Sequence, residues 1–447
     1  MDIYNPYTLK KIGEIREFSR EEVREAVDKA YENKEKMKNL SVSKRYNILL
    51  RIANEIKKRK EEFAKLLAID AGKPIRQARV EVDRAIKTFR LSAFYTKELR
   101  GEVLEDDEKL IIAKREPIGL VGAITPYNFP LNLSAHKIGP ALAVGNVVLH
   151  HPSPKAPLVC VELAKIIEES LKKYGVEGYY LLTGYGDVVG DELVVNDKVN
   201  MISFTGSTKV GEQIIKKAGF KKVTLELGGV NPNFVLSDAD IDRAVERLVK
   251  GSFLYAGQVC ISVGVIYVDE SIYDKFIKKF VERVKTLKVG DPLKEETDVG
   301  PVISLEHANW VKELINKALE EGGNILVGGK VEKTLVYPTV IEVDKDNILC
   351  KTETFAPVVP VVKLSEEEML ELNFEFGLHS GVFTRDINKA LSFAQKLEFG
   401  GVVINDSSLY RNDSMPFGGV KKSGLGREGV RYSIEEMSYI KSIVISK

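Results

Sequence analysis

A chain of 447 residues with 44% hydrophobic and 29% charged side chains has room for two or three domains of about 150 residues, and it is too apolar to stay disordered. Its 66 Lys and Arg against 65 Asp and Glu leave a formal charge of +1, so there is no cationic excess to bind a nucleic-acid backbone. The apolar runs are strand-sized, short of the roughly 18 residues of a membrane span, and the opening MDIYNPYTLKKIGEI lacks an apolar leader; a cytoplasmic protein with no membrane partner is expected.

Ser19 and Glu22 form a capping-box pattern, and Val23, Ala26, Val27 and Ala30 follow at helical spacing. A second helix is predicted over 43–71, with Ile48, Leu49, Ile52, Ile56, Phe63 and Leu67 on one stripe, ended by Gly72 and Pro74. A third covers roughly 75–99, and GEVLEDDEKLIIAKREP then reads as a hairpin arm. From Gly119 strand and helix alternate: GLVGAIT, a helix over 132–143, NVVLH, a helix over 156–173, an extended 179–182, NMISFTG and KKVTLEL. That series predicts a parallel sheet of the doubly wound kind used for nucleotides. After Gly228 a second α/β series begins and runs through VGVIYVD, NILVGGK, GVFTRD and GGVVIND to a final KSIVIS strand.

Three cysteines, Cys160, Cys260 and Cys350, are too scattered for a disulfide framework or metal site, and the five histidines show no ligand spacing, so no metal is expected. Four glutamines beside abundant Lys and Glu match the usage of heat-adapted proteins. Cys260, in YAGQVCIS, is either a small buried apolar residue or a nucleophilic thiol on a loop at an element end. Glu226 closes the otherwise apolar VTLE strand before two glycines; it is a strand-end cap or a general base with a raised pKa. Asn128, between Pro126 and Pro130, is a turn former or an amide aimed at a developing oxyanion. Phosphate cradles are suggested at 183–190, which misses the GxGxxG spacing, and at FTGSTKVG, where Ser207 and Thr208 open a helix.

Taken together and in order, GLVGAITPYNFP, FTGSTKVG, LELGG, GQVCIS, ETFAPV and MPFGGVKKSGLGREG resemble the aldehyde dehydrogenase superfamily over essentially the whole chain. NLSAHKIGPALAVGNVVLHHP and YAGQVCISVG are similar to its archaeal lactaldehyde dehydrogenases. The resemblance implies NAD(P)-dependent oxidation of a small aldehyde, most simply lactaldehyde to lactate. A non-phosphorylating glyceraldehyde-3-phosphate or succinate-semialdehyde dehydrogenase is the alternative. It also implies an α/β fold: a doubly wound cofactor domain (1–100 and 117–228), an α/β catalytic domain (229–431), and arm strands (101–116 and 432–447) that pair subunits into homodimers or homotetramers.

By the same resemblance Cys260 is the nucleophile, Asn128 with the Cys260 N–H holds the oxyanion, and Glu226 activates water to hydrolyse a thioester. Such a base is not wanted in a relative that passes its thioester to coenzyme A. Thr125, Pro126, His151, Ser153 and Lys155 would lie along the cofactor, with Gly206, Ser207, Gly211 and Leu227 at its pyrophosphate side. Glu353 would hold the nicotinamide ribose and Phe355 pack near the ring. Tyr127, Ile261, Ser262, Arg411 and Phe417 would border the substrate; Arg411 pairs with an anionic substrate or is a solvated or intersubunit arginine. The family often has Trp at position 127, Gly at 356, Lys at 151 and an acidic residue at 154, where this chain has Tyr127, Ala356, His151 and Pro154. NAD is expected from the nearest relatives, and NADP is compatible because position 154 carries no carboxylate to repel a 2′-phosphate.

Overall fold

Ser19 starts the first helix as its sequence predicts. In the computed structural model its hydroxyl accepts the Glu22 N–H, the Glu22 carboxylate accepts the Ser19 N–H, and Arg20–Lys38 follows. The structure describes residues 1–99, 101–105 and 107–446; Arg100, Asp106 and Lys447, at the end of the expected first unit and in the expected arm, lie outside them. The single helix expected over 43–71 is two, Val42–Lys58 and Lys60–Asp70, broken at Arg59 with φ −103° and ψ 23°. The break brings all six apolar positions of the predicted stripe into one core, while the Arg59 side chain reaches Glu62 and Glu162 outside it.

The first sheet runs in the order Gly424–Leu425, Lys222–Glu226, Met201–Thr205, Leu120–Thr125, Val147–Pro152, Tyr179–Leu181, parallel except for its first member. Leu120–Thr125 has the next strand in sequence on one side and Met201–Thr205 on the other. Strand order therefore reverses there, opening a crevice at the carboxyl ends of these two strands. The second sheet has seven strands, Asn324–Val327, Thr339–Glu342, Val358–Leu364, Val265–Asp269, Pro232–Val235, His379–Phe383 and Gly401–Ile404, with an antiparallel edge at 324–327. Each sheet has its own buried core, and a third, smaller cluster lies around Tyr255, Ile261 and Phe417.

Two features were not foreseen. Gly424–Leu425 crosses back to extend the first sheet beside Lys222–Glu226. The helix Val430–Glu436 then buries Val430 and Ile434 in the first core, whereas the expected catalytic unit ran to 431. The final strand, Ser438–Ser446, pairs along Lys109–Pro117, which in turn pairs with Glu102–Glu105. Ile440, Ile443 and Val444 of this arm are exposed. Among the described residues no helix is long and apolar enough to cross a membrane.

Candidate active site

Asn128 sits in the turn between Leu120–Thr125 and the helix Pro130–Val144, at the switch point. Its side chain is buried; Nδ2 donates to the Gln258 carbonyl at 2.9 Å and Oδ1 accepts the Phe129 N–H at 3.1 Å. One amide proton therefore ties this turn to the loop of Cys260, and the second is left over for a ligand. Gln258 is itself locked, with Oε1 accepting the Ile303 N–H and Nε2 reaching the carbonyls of Tyr255 and Pro301. Tyr255, Ala256 and Gly257 all take left-handed backbone angles (φ 50°, 52° and 70°), at a cost of about 1–2 kcal/mol for each of the two that carry a Cβ. This strained turn presents Cys260, whose carbonyl accepts from Asn231 Nδ2 at 2.9 Å.

Cys260 is half-buried against the cluster that holds Tyr127, Phe129, Ile261 and Phe417. Burial pushes its thiol up to about 12; Arg411 pulls the other way, and Glu226, Glu353 and Glu428 reinforce the burial. Glu226 ends its strand buried, with both carboxylate oxygens lacking a hydrogen-bond partner. Desolvation raises its pKa well above the usual carboxylate value; nearby Glu428 adds to this, and Arg411, Lys137 and Arg427 oppose it. A Cβ on Gly418 would lie 2.9 Å from Glu226 Oε1, so only a glycine leaves that side open.

Arg411 is not a solvated arginine. It is buried, paired with Glu428 at 3.1 Å, and its guanidinium carbon stacks 3.7 Å from the centre of the Phe417 ring. Glu428 also pairs with Lys137 at 2.8 Å, and the two cations hold its carboxyl down to about 2 against burial. Neither Lys137 nor Glu428 was singled out from the sequence, although a lone lysine in the apolar run LNLSAHKIGPALAV was a usable signal. Ser262 directs its hydroxyl to the Gly251 carbonyl at 3.0 Å, in the last turn of the helix Ile241–Phe253, and not to the cluster.

Around the crevice, Thr125 Oγ1 bonds His150 Nε2 at 2.9 Å, and the Thr125 carbonyl accepts the Ser153 N–H; Pro126 follows, half-buried. His151 Nδ1 faces the Leu182 carbonyl at 2.9 Å, and burial lowers its pKa, leaving a neutral ring. Gly190, at the end of the 183–190 motif, packs on that ring as the tail of a wide helical turn over 186–190, not as a GxGxxG loop. Ser207 caps the helix Thr208–Lys217, and Gly211 packs tightly on Leu227. Lys155 is exposed, with Nζ 5.8 Å from the Tyr127 ring centre.

On the far side, the Glu353 carboxylate lies so close over Gly228 that a Cβ there would meet Oε2 at 1.9 Å. Its Oε1 is buried without a partner, and burial pushes its pKa up to about 7. Phe355 stands at φ 46° with its ring edge-on to Tyr127.

A family model described as aldehyde dehydrogenase family matches residues 1–443. The chain belongs to the aldehyde dehydrogenase family. It is 68% identical to a lactaldehyde dehydrogenase of Methanocaldococcus jannaschii, covering 100% of this chain and 97% of that one. It is 41% identical to a 3-sulfolactaldehyde dehydrogenase of Priestia aryabhattai, covering 100% and 95%. Its structure superposes with a TM-score of 0.99 on the crystal structure of a glyceraldehyde-3-phosphate dehydrogenase, GapN, from Methanocaldococcus jannaschii complexed with NADP, at 68% identity over 100% and 99% of the two chains.

The electrostatics of this aldehyde dehydrogenase make one expectation immediate. With its thiol held near 12, Cys260 of the free enzyme is almost wholly protonated at neutrality. Its alkylation by iodoacetamide, mapped by mass spectrometry, should rise about tenfold per pH unit between about pH 7 and about pH 10. A plateau near pH 8 would contradict the burial argument.

Proposed function

We propose that this enzyme oxidises a small aldehyde to its acid through a covalent bond to Cys260, with lactaldehyde as the substrate. The observation that carries the reading is the Asn128 amide, fixed by the carbonyl two residues before Cys260 with one N–H to spare. The Cys260 thiol gives up its proton to solvent as its sulfur bonds to the carbonyl carbon, and the oxygen that gains charge is held by that N–H and the Cys260 backbone N–H. Glu226, buried with neither carboxylate oxygen hydrogen-bonded, takes a proton from water. The new C–O bond forms as the C–S bond breaks, releasing the acid and restoring the sulfur. Cys260, Glu226 and Asn128 are then the catalytic residues, with Tyr127, Ile261 and Phe417 as the apolar walls.

The crevice fits a nicotinamide dinucleotide. Glu353 Oε1 is a buried acceptor awaiting a hydroxyl, and the Ser207-capped helix starts at the carboxyl end of Met201–Thr205, the strand beside Leu120–Thr125. When bound, the cofactor supplies the hydride acceptor that carries the thiohemiacetal to the thioester. Thr125, Pro126, His151 and Ser153 would hold one flank, Gly206, Ser207, Gly211 and Leu227 the pyrophosphate flank, and Glu353 and Phe355 the ribose and ring end. Pro154 carries no carboxylate to repel it, so the 2′-phosphate of NADP is accommodated as well as the hydroxyl of NAD. The GapN relative complexed with NADP supports this.

A second reading has an anionic aldehyde, such as glyceraldehyde 3-phosphate or succinate semialdehyde. It is favoured by Arg411, a buried cation beside Cys260 whose Nε has no partner. Initial rates of cofactor reduction decide between the two. With lactaldehyde, kcat/KM should exceed that with glyceraldehyde 3-phosphate by about tenfold or more. The reverse order, with the phosphorylated substrate losing most of its advantage in Arg411→Leu, would replace the first reading by the second.

A further inference from the structure

Lys73 lies in the turn between Lys60–Asp70 and the helix Ile75–Glu98 and is 1% exposed, a costly place for an ammonium. Its Nζ contacts Glu81 Oε2 and stands 3.6 Å from the centre of the Phe129 ring and 4.4 Å from that of Tyr255. Glu81 Oε1 accepts the N–H groups of Leu131 and Asn132 at 2.9 and 3.2 Å, at the first turn of the helix that follows Asn128. Phe129 is the residue after Asn128, and its N–H bonds the Asn128 side chain. Tyr255 opens the left-handed turn that leads to Cys260, and its hydroxyl donates to the Ala71 carbonyl at 2.7 Å, in the turn that carries Lys73. The two rings meet edge to face, 5.9 Å between centres.

We propose that Lys73 is a positioning residue for the oxidation: its ammonium, anchored by Glu81, clamps the Asn128 turn to the Cys260 turn through the faces of Phe129 and Tyr255. An ion pair serving only to fill the core would need neither ring. Here one carboxylate caps the helix behind Asn128 while its partner cation bridges the two turns that must keep amide and sulfur in register. The inference rests on Asn128 as the oxyanion donor, and the test separates the two claims.

The experiment compares Lys73→Met, Phe129→Leu, Asn128→Ala and the double variant Lys73→Met/Asn128→Ala, following kcat, KM, melting midpoint and Cys260 alkylation by iodoacetamide. Lys73→Met should lower kcat about 30-fold, the scale of a desolvated cation–π contact, with KM changed by less than about threefold. Phe129→Leu, which keeps the apolar volume, should lower kcat about fivefold. In the Asn128→Ala background Lys73→Met should cost less than about twofold more, since the amide it positions is gone.

A loss equally large in both backgrounds, or an unchanged kcat in a folded Lys73→Met, overturns the clamp. If Lys73→Met does not fold, Phe129→Leu in the two backgrounds decides by the same comparison. If Asn128→Ala by itself leaves kcat intact, the oxyanion assignment falls. The clamp is then judged by alkylation, which Lys73→Met or, failing that, Phe129→Leu must shift at least about threefold for it to stand.

Discussion

Cys260→Ala is expected to lower aldehyde oxidation by about 10⁴-fold or more while leaving cofactor affinity unchanged. The size of the effect follows from the walls around the sulfur: Ile261 and Phe417 carry no nucleophile, and burial pushes the Tyr127 phenol up, so it stays protonated and does not take the thiol's place. Removing the sulfur also takes no hydrogen bond from the scaffold, because the loop is held by main-chain and neighbouring groups, the Asn128 and Asn231 amides and the locked Gln258. Binding can be read from the fluorescence of the single tryptophan, Trp310. It stacks on His307, whose Nε2 lies 3.0 Å from the Phe355 carbonyl, so it reports on the segment proposed to pack at the nicotinamide. Residual turnover above about one part in a hundred would refute the covalent route.

Glu226→Gln should have the second-largest effect, lowering steady-state kcat by about 10²–10⁴-fold, with a first-turnover burst of one reduced cofactor per site. The burst is expected because formation of the C–S bond needs the sulfur and the amide, and the missing base is wanted when water must attack. No burst, with a slow first turnover, would place Glu226 earlier in the reaction. The acid limb of the pH–rate profile should change too. A carboxyl raised above its usual value stays protonated to higher pH, so wild-type kcat rises with pH above the ordinary carboxylate range, and the glutamine variant loses that limb. The melting midpoint should not fall, because the substitution replaces a buried ionisable group that has no hydrogen-bond partner and keeps its volume.

Much of this was legible in the residues. Alternating strands and helices from Gly119 onward, with turn signals between them, gave the parallel sheet and put Asn128 at a strand end, where α/β sheets bind ligands. The parts that escaped are those that periodicity cannot encode. Gly424–Leu425 is too short to show a period of two, and nothing local says it will join a strand made long before it. The bend at Arg59 has neither Gly nor Pro to announce it. Arg411, Lys137 and Glu428 come from three separate segments, and only their meeting turns a surface-looking arginine into a buried cation beside Cys260. Lys73 and Glu81, eight positions apart, fall outside the spacings at which helix neighbours pair, so their contact was equally silent.

The return of the chain to the first sheet also bears on how the protein is made. Lys222–Glu226 emerges from the ribosome with its outer edge bare, and it stays bare until every strand of the second sheet has been synthesised and Gly424–Leu425 arrives to cover it. Glu428 and the helix that seals the first core come later still. The nascent chain thus carries the cysteine long before it carries Gly424–Leu425, Glu428 and the helix beside them, so the completed site waits on segments made about 160 residues after its sulfur.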